Sequence, residues 1–499
     1  MDRGSGSVTD VARRSPGGLA SLLGALLLLG LFGSACREEP AARATKHTGP
    51  IVLITFEGLR DDAVNGPGGE KGLTPNFFAL GRRAWSGRAI ATSGWAEASM
   101  ASVATGLASW QHQILAPGVG TLPAGVLPLA EALHAAGYRT YGFGSAREVR
   151  LGLSRGFDEF GDFGKGHSAM TRLSRLTGGR ELVWIHLPEP RPPFVRRDWL
   201  LARLPGTPGN LPRRLSAAQV EQLLREGAND PEVARKLGAM YRSNVAWADE
   251  RLGRLLGALD SSGRRDRTLL IVTSVLGEDF GSGRLGQRDG GLGRQMLEVP
   301  LFVALPREGS GRIAAPPKRP VALTRLWATV AEAAGLAVPP AVAPSLFRPS
   351  SAPILSDLYA GPDGANLFSL LAGQDQLLWR TPFALPGATE ADRFAAFART
   401  PPLRGAGGPP ALRLLRWVPG GSRPASDPAR EQALAQALVR AWSRFEPEEV
   451  SPQETLEARG LAAAIAANLS HGPKRVLYSR LRPAGVSRVH SSAVRATGS

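Results

Sequence analysis

Short apolar runs alternate with longer amphipathic segments along the first two thirds of the chain. Residues 51–56, 182–186 and 269–273 are almost uninterrupted apolar segments, typical of strands buried on both faces of a parallel sheet. Residues 127–136 and 230–259 carry apolar side chains at helical spacing. Strands that alternate with helices predict a doubly wound α/β sheet. The same patterns predict further strands at 139–144 and 299–305 and a further helix at 322–334.

The last third of the chain has a different pattern. Residues 336–353 are rich in Pro and Ala, which marks a change of architecture. After this stretch, residues 374–379 and 412–418 have the character of short strands, and residues 427–445 have the apolar spacing of an amphipathic helix. This mixture predicts a smaller α+β subdomain that packs on the first.

These patterns lead to predicted boundaries. The main α/β domain is expected over 50–345 and the C-terminal subdomain over 346–472. The tail 473–499 carries Arg residues and no acidic residue. We predict that it is solvated and disordered, with contact to anionic lipid or polysaccharide as the alternative.

Composition narrows the class of protein. Apolar residues make up 43% of the 499 residues, which supports a large core and excludes a disordered or fibrous chain. A net charge of +17, from 60 basic and 43 acidic residues, raises nucleic acid as a partner. Only six of the basic residues are Lys, and Arg is spread over the whole length without a cluster of aromatic residues. We interpret the charge as a compositional bias and predict no nucleic acid partner.

The N-terminus has the pattern of an export signal. Arginines precede an apolar run at 19–32, which is too short to span a bilayer of about 30 Å. Small residues stand directly before Cys36, the single cysteine, and this segment resembles a bacterial lipobox. The resemblance implies a cleaved signal peptide over 1–35, a lipid on Cys36, a linker over 36–49 and a membrane-anchored protein of the cell envelope, on the periplasmic or extracellular side. An ordinary signal peptide with an incidental cysteine is the alternative.

Several motifs follow one another along the chain. They are IVLITFEGLRDD from residue 51, TPN at 74–76, ASMASVATG at 98–106, an AEALxxAGYxT pattern at 130–140, GFD at 156–158, and two helical patterns at 241–256 and 321–336. Their order resembles that of the sulfatase family of the alkaline phosphatase superfamily, over about 51–461. The resemblance implies a doubly wound mixed sheet with a smaller C-terminal α+β subdomain. It also implies a divalent cation at the carboxyl ends of the strands, where it stabilises the nucleophile and the ester oxyanion.

The metal ligands of that family are largely replaced in this chain. Glu57 stands at the leading Asp of the first metal turn, and Gly58 stands beside it. In the distal turn, Val275 and Leu276 stand where the family has Asp and then His or Asn. Their side chains offer no lone pair, whereas Ca²⁺ takes about six to eight oxygens. Only Glu57 remains as an assignable side-chain ligand, so we expect no bound metal.

The nucleophile position has changed in the same way. The family motif C/S/T-x-P-S-R/H places its nucleophile on Ala96 and its basic residue on Met100. An alanine side chain cannot attack an ester. Ser93 and Ser99 are the nearby hydroxyls, and a displaced Ser nucleophile is the alternative.

Two arginines stand where the resemblance implies contact with an anion. Arg191 replaces a family His, and Arg288 stands where the family usually has Lys or His. A guanidinium can hold an oxyanion bidentately, so both are predicted anion-binding residues, and chance positions in an Arg-rich chain are the alternative. His112 is expected to be a packed or surface histidine, and Glu278 a helix-start or ion-pair residue.

The sequence therefore favours a sulfatase-like lipoprotein that is catalytically inactive and binds an anionic ligand or partner, such as a sulfated or phosphorylated glycan or ester. The alternative is an active sulfuric or phosphoric ester hydrolase. Its site would be rebuilt around Glu57, Ser93 or Ser99 and Glu278, with Ca²⁺ or Mg²⁺ as the cofactor. A third hypothesis is a protein that coats anionic surfaces through its arginines, with binding that weakens steeply with salt.

Overall fold

Apolar segments at the predicted positions form the strands of a central sheet. The computed structural model describes residues 47–64, 72–118, 120–162, 167–202, 210–227, 230–279, 291–307, 312–315, 318–358, 367–380, 412–418 and 421–443. The strands up to residue 322 in this part of the chain are β1 (Ile51–Glu57), β2 (Trp85–Ile90), β3 (Arg139–Gly144), β4 (Glu159–Asp162), β5 (Glu181–Pro190), β6 (Phe194–Val195), β7 (Arg214–Leu215), β8 (Leu269–Ser274), β9 (Glu298–Ala304) and β10 (Val321–Ala322).

Eight of these strands form one mixed sheet in the order β10-β2-β9-β8-β1-β5-β3-β4. The centre is parallel: β1 pairs with β8 on one side and β5 on the other, and β5 pairs with β3. Strand β9 runs antiparallel to both β8 and β2. Every residue of β1 and β8 is buried, because helices cover both faces of the sheet. The prediction of a doubly wound α/β sheet is confirmed.

Helices connect the strands and cover the sheet. Those in the described residues are α1 (Asp61–Val64), α2 (Pro75–Gly81), α3 (Ala96–Thr105), α4 (Ser109–His112), α5 (Leu129–Ala135), α6 (Ala146–Arg150), α7 (His167–Ser174), α8 (Asp198–Leu201), α9 (Ala217–Glu226), α10 (Pro231–Ser261), α11 (Arg294–Leu297), α12 (Arg325–Ala333) and α13 (Pro428–Ser443). One apolar cluster packs α3, α5 and α12 against one face, and a second packs α2 and α10 against the other. No helix in the described ranges has both the length and the apolarity to cross a bilayer.

The C-terminal part forms a second, smaller sheet. Its antiparallel strands are β11 (Ile354–Leu358), β12 (Leu367–Ala372), β13 (Asp375–Arg380), β14 (Leu412–Val418) and β15 (Gly421–Pro424). Leu434 and Ala435 of α13 pack on Leu370, Leu377 and Leu414 of this sheet. The predicted α+β character is thus present, and the predicted strands near 374–379 and 412–418 are found.

Two predicted element limits are wrong. The strand predicted at 182–186 was expected to stop at Pro188, but β5 continues to Pro190. The register with β1 shifts between Phe56 and Glu57, so the prolines fall in an irregular stretch where an N–H is not required for the ladder. The helix predicted at 322–334 begins only at Arg325, because Val321 and Ala322 pair with β2 as an edge strand.

Candidate functional site

Glu57 ends β1 at the carboxyl edge of the parallel strands and is 1% exposed. Two guanidinium groups face its carboxylate. Arg147 donates from Nη2 to Oε2 at 2.6 Å and from Nη1 to Oε1 at 3.3 Å. Arg191 donates from Nη1 to Oε1. Both oxygens of the buried carboxylate therefore have a cationic partner.

A chain of hydrogen bonds brings His186 to the same carboxylate. Trp184 donates from Nε1 to the Thr55 hydroxyl at 2.9 Å, so this hydroxyl accepts from an obligate donor. The Thr55 hydroxyl in turn lies 3.0 Å from Nδ1 of His186 and can donate to it. Nε2 of His186 lies 3.4 Å from Glu57 Oε2 and 3.4 Å from Arg147 Nη2, so it can donate to the carboxylate or accept from the guanidinium, depending on the tautomer. Neighbouring residues of β1 and β5 thus orient the ring.

These contacts decide the charge of Glu57. Burial by itself would raise the pKa of the carboxyl, but the hydrogen bond from His186 and the positive charges of Arg191 and Arg147 hold its pKa far below the ordinary value. The same pairing raises the pKa of both arginines, against the effect of burial. The centre is a charged cluster in which each ion has a partner.

Arg147 is the residue of this centre that sequence reasoning missed. It stands in the first turn of α6, directly after β3, where Ser145 caps the helix and Glu148 completes a capping box. The Ser145 hydroxyl accepts from the Arg147 backbone N–H at 3.2 Å, and the Glu148 carboxylate accepts from Arg147 Nε at 3.0 Å. Ser145-x-x-Glu148 after an apolar strand is a readable helix-start signal. This signal locates Arg147 at the carboxyl edge of the sheet, but it does not reveal the contact between Arg147 and Glu57.

Gly58 is required by the backbone geometry of the first turn. Its φ is +93°, and a Cβ there would lie 3.0 Å from the Arg191 backbone nitrogen. The Arg191 N–H donates to the Glu57 carbonyl at 3.0 Å, which holds the two segments together. A side chain at position 58 would force this contact apart.

The distal turn is apolar where the family has its ligands. Val275 and Leu276 are 0% and 4% exposed and belong to the apolar cluster on one face of the sheet. Ser274 is structural, because its hydroxyl lies 2.9 Å from the Phe56 carbonyl and 2.7 Å from the Leu276 carbonyl, either of which can accept its proton, and accepts from the Leu59 N–H. The Leu276 carbonyl also accepts from the Gly58 N–H at 3.0 Å. This turn joins the two strands and presents no side-chain oxygen at its two central positions.

The residues at this edge do not fit Ca²⁺ or Mg²⁺. Such ions need several oxygen ligands in one shell. Both carboxylate oxygens of Glu57 already take guanidinium donors, and the two central residues of the distal turn are hydrocarbon. Among the residues that the structure describes, no group of three or more His, Cys, Asp or Glu side chains is placed to hold a metal.

The candidate nucleophiles lie away from solvent. Ala96 opens α3 and is 4% exposed within the apolar cluster. Ser99 is fully buried, and its hydroxyl donates to the Val275 carbonyl. Ser93 is also fully buried, and its hydroxyl accepts from the Trp95 N–H at 3.2 Å. These serines serve the packing of the helix and its entry loop.

The other predicted site residues have different environments. His112 is a packed residue, as expected: it is fully buried 3.0 Å from the Ser102 hydroxyl, and burial lowers its pKa to about 3. Glu278 lies in an irregular segment that ends at the last described residue before the gap at 280–290, so its expected role as a helix-start or ion-pair residue stays a prediction. Burial and the charges of Asp279 and Glu57 raise the pKa of Glu278 to about 7, in spite of Arg191. Arg288 and Cys36 lie outside the described residues.

A small, mostly apolar cleft adjoins the charged centre. It is lined by residues that include Met100, Phe143, Leu153, Phe157, Trp184 and His186. Met100 stands at the basic position of the nucleophile motif, so hydrocarbon replaces a cation there. The cleft offers apolar packing, and the exposed edge of Arg191, whose side chain is 41% exposed, offers the positive charge.

Comparison with solved structures identifies the fold. A candidate sulfatase from Bacteroides thetaiotaomicron superposes with a TM-score of 0.60 at 16% identity, over 81% of this chain and 96% of that one. A 2-O GAG sulfatase superposes with a TM-score of 0.59 at 16% identity, over 85% of this chain and 97% of that one. The phosphonate monoester hydrolase of Silicibacter pomeroyi superposes with a TM-score of 0.56 at 18% identity, over 81% of this chain and 97% of that one. No protein-family model matches the sequence, and no curated protein does.

The chain therefore has the fold of these sulfatases and of the phosphonate monoester hydrolase, as its motif order indicated. Identities of this size establish architecture and leave the chemistry to the site.

Proposed function

We propose that this protein is a non-catalytic sulfatase-fold protein that binds an anionic group at Arg191. One observation carries the proposal: both oxygens of Glu57, the one assignable metal ligand, are taken by Arg147 and Arg191. Fixed guanidinium groups supply the positive charge that the resemblance assigns to a metal. A guanidinium cannot lower the pKa of a bound water as a metal does, so the arrangement favours binding over hydrolysis.

The rest of the site supports the absence of turnover. An ester hydrolase needs a nucleophile within reach of the reacting atom and a group that stabilises the oxyanion. Ala96 has no nucleophilic atom, and the hydroxyls of Ser93 and Ser99 are buried and hydrogen-bonded to backbone groups.

Arg191 supports the binding of an anion. Its side chain is 41% exposed, and its described bond to Glu57 uses Nη1 alone. A second edge of the planar guanidinium is thus available for a carboxylate, sulfate or phosphate group. One structural neighbour is described as a 2-O GAG sulfatase, which supports a sulfated glycan as the ligand class.

The proposal also includes the location of the protein in the cell envelope. We infer that Cys36 is lipidated and anchors the protein in a membrane of the cell envelope, because the segment before it has the lipobox pattern. Mass spectrometry of the mature protein tests this inference. A chain that begins at Cys36 with a diacylglycerol mass supports it, and an unmodified Cys36 contradicts it.

Turnover and binding are measured together on the purified protein. We expect no hydrolysis of 4-nitrophenyl sulfate or phosphate with added Ca²⁺, Mg²⁺ or Mn²⁺. Calorimetric binding of a sulfated disaccharide is expected to be lost in Arg191→Gln and retained in Arg307→Gln, a change at an exposed ion pair. Metal-dependent turnover that disappears in Glu57→Ala contradicts the proposal and establishes the hydrolase alternative.

A further inference from the structure

Asp357 stands where the two sheets of the protein meet. It lies in β11, the first strand of the C-terminal sheet. Its backbone N–H donates to the Thr92 carbonyl at 2.9 Å, and its carbonyl accepts from the Gly94 N–H at 3.0 Å. These two bonds attach the C-terminal sheet to the loop that leads into α3.

The Asp357 side chain at this junction is buried, and no described residue forms an ion pair with it. It is 0% exposed, and neither carboxyl oxygen makes a hydrogen bond of normal geometry with a described residue. The hydroxyls of Ser93 and Ser109 and the Ser109 backbone N–H face it. A carboxylate in such a place is costly, whereas a carboxylic acid is tolerated.

Among the residues that the structure describes, no positive charge compensates this carboxyl from the elements packed around it. The entry loop contributes Ser93, α4 contributes Ser109, and β12 contributes Phe368 as the cross-strand partner. His112, also on α4, is directed to Ser102, and its pKa of about 3 keeps it neutral. Burial, opposed only by these serines, raises the pKa of Asp357 to about 7.

We propose that Asp357 is a proton-controlled latch, which in its protonated form holds the C-terminal sheet to the main domain and on ionisation loosens that junction. The protonated carboxyl can donate to a serine hydroxyl. The ionised carboxyl faces no cation of the described residues.

The direction of the pH effect follows from the two states. In the open junction, the exposed carboxyl has an ordinary pKa of about 4, and in the closed junction the pKa is about 7. The protonated carboxyl stabilises the closed state fully below about pH 4. That stabilisation is lost progressively as the pH rises to about 7, and no more is lost above it.

Hydrogen exchange of the β11 amides at pH 5 and pH 8, corrected for intrinsic rates, measures the opening of the junction. We compare the wild-type protein with Asp357→Asn, which mimics the protonated acid. The ratio of wild-type to variant opening is expected to rise by up to roughly 100-fold between the two pH values. Asp375→Asn is the matched control, since Asp375 lies in the same sheet but pairs with Arg416 and Arg430. It should show the wild-type pH dependence at β11.

An equal ratio at both pH values overturns the proposal. If Asp357→Asn does not fold, the pH dependence of junction opening is compared between the wild-type protein and Ser109→Ala. Loss of a hydroxyl donor raises the pKa of Asp357 further, so the opening transition should move to higher pH. Wild-type opening that does not change between pH 5 and pH 8 overturns the latch without any variant.

Discussion

Glu57 and Asp357 are both buried carboxyl groups, at 1% and 0% exposure, yet they differ in everything that decides their charge. Glu57 has two guanidinium partners and a histidine, and its pKa is far below the ordinary value. Asp357 faces two serine hydroxyls, and its pKa is raised to about 7. Burial raises the pKa in both places, so the partners, and not the depth, determine which form exists at neutral pH.

The two regions therefore respond to pH in opposite senses. Because the folded-state pKa of Glu57 is lowered, its stabilising contribution is present above about pH 4 and is lost only in strong acid. The contribution of Asp357 is present below about pH 4 and is lost as the pH rises to about 7. The ion pairs of Glu57 are therefore insensitive to physiological pH, whereas the protonation of Asp357 changes within that range.

The largest expected effect comes from removing a partner of Glu57. Arg147→Met leaves a buried carboxylate with one guanidinium fewer and should destabilise the protein by about 3–5 kcal/mol in denaturant unfolding. Arg307→Met is the control, because the Arg307–Asp266 pair is exposed and should cost less than about 1 kcal/mol. Equal effects of the two variants would mean that Glu57 does not depend on the cluster.

Glu57→Gln tests the same charged cluster by removing the negative charge of the carboxylate. The substitution removes the anion that Arg147 and Arg191 share and leaves Arg147 with Glu148 as its carboxylate partner, and we expect a loss of about 2–3 kcal/mol. Added sulfate should restore more stability in the variant than in the wild-type protein, because an anion can occupy the vacated position. The midpoint of thermal unfolding is measured for both proteins in sulfate and in chloride at the same ionic strength. If sulfate stabilises the variant and the wild-type protein equally, Arg147 and Arg191 are not accessible to an added anion.

Gly58→Ala should have a moderate effect on the turn that holds Arg191. A left-handed φ costs a side chain about 1–2 kcal/mol, and the contact with the Arg191 nitrogen adds to this cost. Gly373→Ala is the matched control, because its φ is +71° but nothing lies within 4 Å of the added Cβ. The difference in unfolding free energy between the two variants measures the close approach at Arg191. No difference would show that the turn relaxes freely.

Ser99→Ala should have the smallest effect. It removes one buried hydrogen bond to the Val275 carbonyl, which is worth about 1 kcal/mol. Any trace of ester hydrolysis in the wild-type preparation should be unchanged in the variant. A hydrolysis rate that falls with Ser99→Ala while the stability stays the same would revive the displaced nucleophile.

The strands β1, β3, β5, β8 and β9 and the helices α5, α10 and α12 were predictable from the sequence because their apolar periods are long and uniform. The pattern at 51–56 and 269–273 predicted the two central strands, which pair as β1 and β8. Strand β2 was missed because its residues, WSGRAI, mix polar and apolar side chains at a half-buried position. The extension of β5 was missed because a bulge accommodates its prolines.

By itself, the sequence determined the α/β fold and showed that the positions expected for metal ligands and nucleophile hold Val275, Leu276 and Ala96. Local pattern suffices for this, because periodicity and residue type are properties of short segments. Only the tertiary structure decided that Arg147 neutralises Glu57 and that no cation in the described part of the chain faces Asp357. The charge of a buried group depends on which distant segments meet at it, and the paired residues here are 90 positions apart in the chain.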